Sequence, residues 1–95
     1  MKENTFYLKN YNFYPLVDFN SDKDHQILHH YMVEKSNEAF PSAKKITAVL
    51  GSNGSLNIIS ENPSKEVWID DAPDEVLEIV AEKDLQKDVA LLTTD

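Results

Sequence analysis

A chain of 95 residues with no cysteine and no arginine, and with 17 acidic side chains against 9 lysines for a formal charge of -8, narrows the field before any motif is sought. Disulfide frameworks, thiolate zinc sites and cysteine nucleophiles are excluded, and the lack of arginine argues against direct binding of nucleic acid, whose phosphates call for a basic surface. The length suits a single domain over residues 1–95, burying roughly 60–65% of the unfolded chain's surface. No stretch approaches the ~20 apolar residues of a membrane span, so a cytoplasmic protein without a membrane partner is expected.

The charge is unevenly distributed. Residues 1–60 hold six acids and six lysines, so the whole net charge lies beyond residue 60. Ten acids fall between Glu61 and Asp88 alone, against three lysines.

In chain order, residues 5–19 contain six of the nine aromatics: Phe6, Tyr7, Tyr11, Phe13, Tyr14 and Phe19. That density favours a strand, either one long run or a short hairpin turning near Lys9-Asn10, with Pro15 marking its end or an edge position. The rings read either as core or as a contact patch of tyrosines. Next, Ser21 with Asp24 three residues on is a helix start, and Pro41 a helix stop, giving a helix over about 22–40. Its inward stripe is Ile27, Leu28, Tyr31, Met32 and the stem of Lys35. His25 and His29 stand four apart, a spacing that can grip a metal, but neither a third ligand nor the glutamate of a zinc-protease motif accompanies them. No metal site is predicted.

Residues 45–60 form a central hairpin, with Asn53-Gly54 as a two-residue turn between alternating apolar runs. This turn pairs Leu50 with Asn57, Val49 with Ile58 and Ala48 with Ile59. Ile46, Ala48, Leu50 and Ile59 then share one face, and Thr47, Val49, Leu56 and Ile58 the other. A sheet apolar on both sides needs cover on both, from helices, from the aromatic N-terminal segment or from a partner, so a homodimer is compatible with the pattern.

Glu66–Ile69 reads as a further strand, with Val67 and Ile69 on one face and Trp68 on the other. A helix over about 72–84 follows, with Asp71 as cap and Asp74 completing a box-like start. The acids Asp71, Asp74, Glu75, Glu78 and Glu82 fall on one stripe, while Val76, Leu77, Val80 and Ala81 face inward. Residues 85–94 fit a helical continuation or a last strand, and the strand is favoured. The fold class is therefore α+β: a mostly antiparallel sheet with two helices packed on it.

Catalytic chemistry finds little footing. Asp70-Asp71-x-x-Asp74 could hold a divalent ion in principle, yet it lacks the central glycine of a calcium loop, and no serine near the histidines carries a nucleophile motif. The chain reads as a non-enzyme with no cofactor. Pro73-Asp74-Glu75-Val76, then Glu78-Ile79-Val80, Lys83, Asp88-Val89, Leu91, Leu92 and Thr93, resembles the acidic helix and following strand of phage uracil-DNA glycosylase inhibitors over about twenty residues. There the comparable hairpin follows this segment, whereas here it precedes it. The resemblance implies a DNA-mimic class and carries over no inhibitory residue.

The expected function is thus a non-catalytic acidic inhibitor that mimics nucleic acid and blocks a basic DNA- or RNA-binding enzyme, as phage anti-defence or anti-repair proteins do. Asp70, Asp71, Asp74, Glu75, Glu78 and Glu82 are the expected partner-binding residues. The alternative is an immunity protein, antitoxin or interaction module that binds its partner away from any nucleic-acid site.

Overall fold

The computed structural model describes residues 9–19, 21–61, 64–81 and 87–94. In chain order they form β1 (Tyr11–Pro15), α1 (Asp22–Ala39), β2 (Ile46–Gly51), β3 (Leu56–Ser60), β4 (Lys65–Ile69), α2 (Asp74–Ala81) and β5 (Asp88–Thr94). The strands make one five-stranded sheet in the order β1-β5-β2-β3-β4, antiparallel at every junction. This is the α+β architecture expected, and residues 88–94 are a strand, placed in the interior of the sheet. None of the described helices is long and apolar enough to cross a membrane.

The core follows from strand register. Phe13, Leu92, Ala48, Ile58 and Val67 stand opposite one another across all five strands. Leu92, Ala48 and Ile58 are fully buried. Onto this row α1 lays Leu28, Tyr31, Met32 and Ser36, and α2 adds Val76, Ile79 and Val80. Each fully buried Leu, Ile, Val or Met contributes on the order of 1.5–3 kcal/mol, so the sheet and helices hold together chiefly through this one layer. The apolar run of β5 explains its interior place: Val89, Ala90 and Leu92 lose all their exposure there.

Helix α1 begins as its sequence dictates. The Ser21 hydroxyl accepts the Asp24 amide at 3.3 Å, and the helix closes with the Phe40 amide donating to the Ser36 carbonyl, just before Pro41. Strand β1 is clamped to the far end of this helix. The Tyr11 hydroxyl donates to Asn37 Oδ1 at 2.7 Å, and Lys9 Nζ donates to the Pro41 carbonyl at 3.1 Å. Phe13 stacks on His29 with centroids 5.1 Å apart, and Phe19 meets His25 edge-on. Tyr11, Phe13 and Phe19 thus serve packing, whereas Tyr14 is half exposed on the other face of the sheet. Pro15 ends β1 on the sheet's edge, where its missing N–H costs no ladder bond. A hairpin near Lys9-Asn10 would involve residues before position 9, outside the described residues.

The central hairpin differs from the expected one by one residue. Its loop is Ser52-Asn53-Gly54: the Gly51 amide donates to the Ser55 carbonyl, and the Gly54 amide to the Gly51 carbonyl, both at 2.9 Å. Leu50 pairs with Leu56, Val49 with Asn57, Ala48 with Ile58 and Thr47 with Ile59. Gly54, with φ of 89°, takes the left-handed position after the turn instead of the second position of a two-residue loop. A one-residue shift exchanges the faces of a strand. Leu56 and Ile58 therefore join Ile46, Ala48 and Leu50 under the helices, and Asn57 and Ile59 turn outward. Burial decides the register, because the three-residue loop gathers these apolar side chains on one face and the two-residue loop would split them.

Helix α2 also departs from expectation. It starts at Asp74, two residues later than expected, and Pro73 holds the cap position, its carbonyl accepting the Val76 and Leu77 amides. Asp71 is therefore not the cap. The inward set is Val76, Ile79 and Val80, while Leu77 is 37% exposed and Ala81 is exposed. Buried Ala72 anchors the entering chain and sets this rotation, which leaves Leu77 over the hairpin turn: a Cβ on Gly54 would lie 2.5 Å from Leu77 Cδ2. Residues 82–84, the expected end of this helix, lie outside the described residues.

Two predictions follow from this packing. Gly54→Ala forces an L-residue to positive φ and should lower stability by about 1–2 kcal/mol, seen as a lower urea midpoint at unchanged m-value; Leu92→Ala, which empties the central row, should lose about 2–5 kcal/mol. Burial pushes the Tyr11 hydroxyl up to about 12 from its ordinary 10.0. Between these values the unfolded chain has already lost a proton that the folded chain retains, so stability is present below pH 10 and falls as pH rises toward 12. Alkaline denaturation should be less steep in Tyr11→Phe.

Candidate functional site

Three surfaces carry chemistry, and the chain between β3 and α2 contributes to each of them. In β4, strand alternation turns Val67 and Ile69 toward the helices and Trp68 away. The chain then passes through Asp70-Asp71-Ala72-Pro73, where Ala72 is buried and both aspartates are exposed. Asp70 Oδ1 accepts the Ser55 hydroxyl at 2.7 Å, tying this segment to the hairpin.

The first surface is acidic. Asp74, Glu75 and Glu78 lie exposed on α2, and among the described residues they and Asp71 have no hydrogen-bond or ion-pair partner. The structure thus brings together three of the six expected partner-binding acids on one helix. Asp70 and Asp71 stand on the extended approach to it and not on its stripe, and Glu82 lies outside the described residues. A cation does face them: Lys23 of α1 lines a shallow hollow with Glu75 and Glu78. Among the described residues no three or more His, Asp or Glu side chains are grouped to hold a metal. His25 and His29 pack against Phe13.

The second surface is the sheet face opposite the helices. Tyr14, Leu91, Val49, Asn57 and Trp68 form one continuous row across the five strands. Trp68 is 63% exposed and Tyr14 47%, at opposite ends of a row roughly 19 Å long at the usual strand spacing. Beside Trp68 runs a groove of about 580 Å³ lined also by Asn53, Ser55, Asn57 and Asp88. Asn57 is held in place by donating to Glu66 Oε2 at 2.8 Å and to the Val67 carbonyl. Of the two covers expected for the sheet, the helices supply one, and no described segment supplies the other. The outward turn of Trp68 was legible from alternation. Its alignment with Tyr14 was not, because that depends on β5 entering between β1 and β2.

The third surface is a groove of about 750 Å³ between α1 and α2, with Ile27, Tyr31 and Glu34 on one side and Pro73, Glu75 and Val76 on the other. Tyr31 is 4% exposed, and its buried hydroxyl has no hydrogen-bond partner among the described residues. Burial, then the nearby charges of Asp71 and Asp70, holds that hydroxyl's pKa above the usual value. The helical pattern places Tyr31 on the inward stripe as core, and its polar tip is the one sign in the sequence that this position carries a hydroxyl into the interior.

No family model, curated protein or solved structure matches the chain. A buried hydroxyl without a partner is a net cost, about 1–3 kcal/mol by mutational measure. Tyr31→Phe should accordingly raise the melting temperature of the isolated protein, measured by calorimetry at neutral pH.

Proposed function

We propose that the protein is a non-catalytic inhibitor that presents α2 as a substitute for a nucleic-acid backbone and occupies the basic site of a nucleic-acid-binding protein. The observation that carries this reading is the set Asp74, Glu75 and Glu78, exposed and unpartnered among the described residues. Residues four apart on a helix rise about 6 Å, comparable with the separation of successive phosphates along a strand. Carboxylates left without internal partners repel one another by a few tenths of a kcal/mol per pair, so the arrangement opposes folding slightly and favours a positively charged partner. Such a surface steers a basic protein into contact and speeds association.

A second reading, an immunity protein, antitoxin or interaction module that binds away from any nucleic-acid site, draws support from the open sheet face. Trp68 lies on the side of the sheet opposite α2, and a large exposed aromatic is the kind of residue that anchors protein interfaces. The two readings place binding energy on different sides of the molecule, which makes them separable.

A partner recovered by pull-down from a bacterial lysate allows the decision. Under the first reading, duplex DNA and this protein exclude each other on that partner; simultaneous binding of both would sink it. Replacing Asp74, Glu75, Glu78 and Glu82 by their amides should preserve the fold or improve its stability. It should slow association at least about tenfold in low salt, with the difference from the parent vanishing as exposed charges are screened over the ~8 Å Debye length at physiological ionic strength and beyond. Trp68→Ala should leave stability within about 0.5 kcal/mol, because the ring is already mostly solvated; if it instead speeds dissociation from the partner while the amide variant binds normally, the second reading holds.

A further inference from the structure

We propose that the free edge of β4 binds an extended basic segment of a partner protein as an added antiparallel strand, with an apolar residue of that segment beside Trp68 and a cationic residue two positions to either side of it. This rests on the second reading, which places binding on the open side of the sheet, and names the ligand class for it; it does not depend on what α2 binds.

The phase of the ladder fixes which backbone groups are free. The Gly51 amide donates to the Ser55 carbonyl and the Glu61 amide to the Lys45 carbonyl. The odd-numbered residues of β3 therefore bond to β2, and Leu56, Ile58 and Ser60 bond to β4. Their partners Ile69, Val67 and Lys65 turn their backbone groups inward, so Glu66 and Trp68 each point an N–H and a C=O off the sheet, with no partner among the described residues. Such an edge is a template for another strand unless a proline, a bulge or a cover blocks it. The opposite edge is blunted: the Leu16 amide donates to the Val89 carbonyl, which puts Pro15 in an outward-facing position where it offers no N–H. Strand β4 has neither proline nor bulge.

Side chains on the open face select what the added strand carries. Trp68, at 63%, is the most exposed large apolar side chain among the described residues. Glu66 and Asp70 share its face by alternation and lie two residues to either side, about 7 Å along the strand. Each carboxylate is held by a neutral donor across the ladder: Asn57 Nδ2 donates to Glu66 Oε2 at 2.8 Å, and the Ser55 hydroxyl donates to Asp70 Oδ1 at 2.7 Å. Neither has an ion-pair partner among the described residues. A strand laid along the edge brings its own side chains opposite these three, and cation, apolar, cation is the sequence that answers them. A second copy of β4 does not supply it. Pairing Trp68 with Trp68 sets Glu66 against Asp70 twice, and the neighbouring register sets each Trp68 against a Glu66, leaving the carboxylates uncompensated.

The chain has a single tryptophan, so fluorescence reads the site directly. The probe is the peptide acetyl-Thr-Lys-Thr-Val-Thr-Lys-Thr-amide at constant ionic strength, its valine opposite Trp68 and its lysines opposite Asp70 and Glu66. Expected are a saturable blue shift of tryptophan emission with a Kd on the order of 1 mM, and slower hydrogen exchange at the Glu66 and Trp68 amides. N-methylation of the valine, whose N–H faces β4, should weaken binding at least about tenfold, whereas N-methylation of the threonine that follows it, whose N–H faces away, should leave the affinity unchanged. Glutamate in place of both lysines should abolish binding, and the double variant Glu66→Gln with Asp70→Asn should weaken it about fivefold.

Unmoved emission, equal binding of the two N-methylated peptides, or amide shifts centred on α2 would overturn the site, the last because attraction of lysines to the acidic helix would then explain the affinity. So would exchange at Glu66 and Trp68 that slows with protein concentration alone, since a second copy would then hold the edge. Peptide binding beside a partner whose dissociation Trp68→Ala leaves unchanged would remove the second reading and leave the edge standing. Failure of the peptide beside faster dissociation in Trp68→Ala would remove the edge and leave that reading.

Discussion

The structure depends on one layer of side chains, the row Phe13, Leu92, Ala48, Ile58 and Val67 that crosses every strand and meets α1 and α2 from below. The buried side chains among the described residues form one cluster, and a chain this short has little other apolar burial to compensate for its loss. The register of all four strand pairs serves it. Slipping any strand by one residue would send its contribution to the far face, which is why the hairpin adopts a three-residue loop although Asn53-Gly54 could form a tighter one.

That layer is one-sided, and the rest of the surface follows. Both helices pack on the same face, so α2 turns its acids to solvent at one side of the molecule, and the opposite sheet face keeps Trp68 and Tyr14 exposed. The acids on α2 and the aromatics on the sheet are products of a single packing choice but are physically separate surfaces. Each suits a different mode of binding: the first long-range and salt-sensitive, the second short-range and dependent on burial. The proposed function assigns the first to recognition, because carboxylates without internal partners have their favourable interactions left to make.

The linker Asp70–Pro73 joins these regions. Ala72 pins it beneath the entrance to α2, Asp70 ties it to Ser55, and the paired aspartates bring charge close to the buried Tyr31 hydroxyl. Tyr31 thus belongs to the core by position and to the acidic region by electrostatics. Tyr11 and Tyr31 differ in one respect: Tyr11 has Asn37 as acceptor, and Tyr31 has none among the described residues.

Local chemistry sufficed for most of the element order, because capping and periodicity act within a few residues: Ser21 and Pro41 bound α1, and alternation turns Trp68 away from Val67. The apolar run after Asp88 fits a helix or a strand by pattern, and its pairing with β1 and β2 makes it a strand. The charge asymmetry and the solvent exposure of Asp74, Glu75 and Glu78 were equally legible, since carboxylates four apart on a helix have no apolar face to join. Tertiary structure decided the rest. The hairpin register, the rotation of α2 that buries Ile79 in place of Leu77, and the start of that helix at Asp74 all depend on what each residue meets across the fold. So does the alignment of Tyr14 with Trp68, and so does the burial of the Tyr31 hydroxyl without a partner among the described residues, because such contacts are a property of space between distant segments and not of the residues that flank a position in the chain.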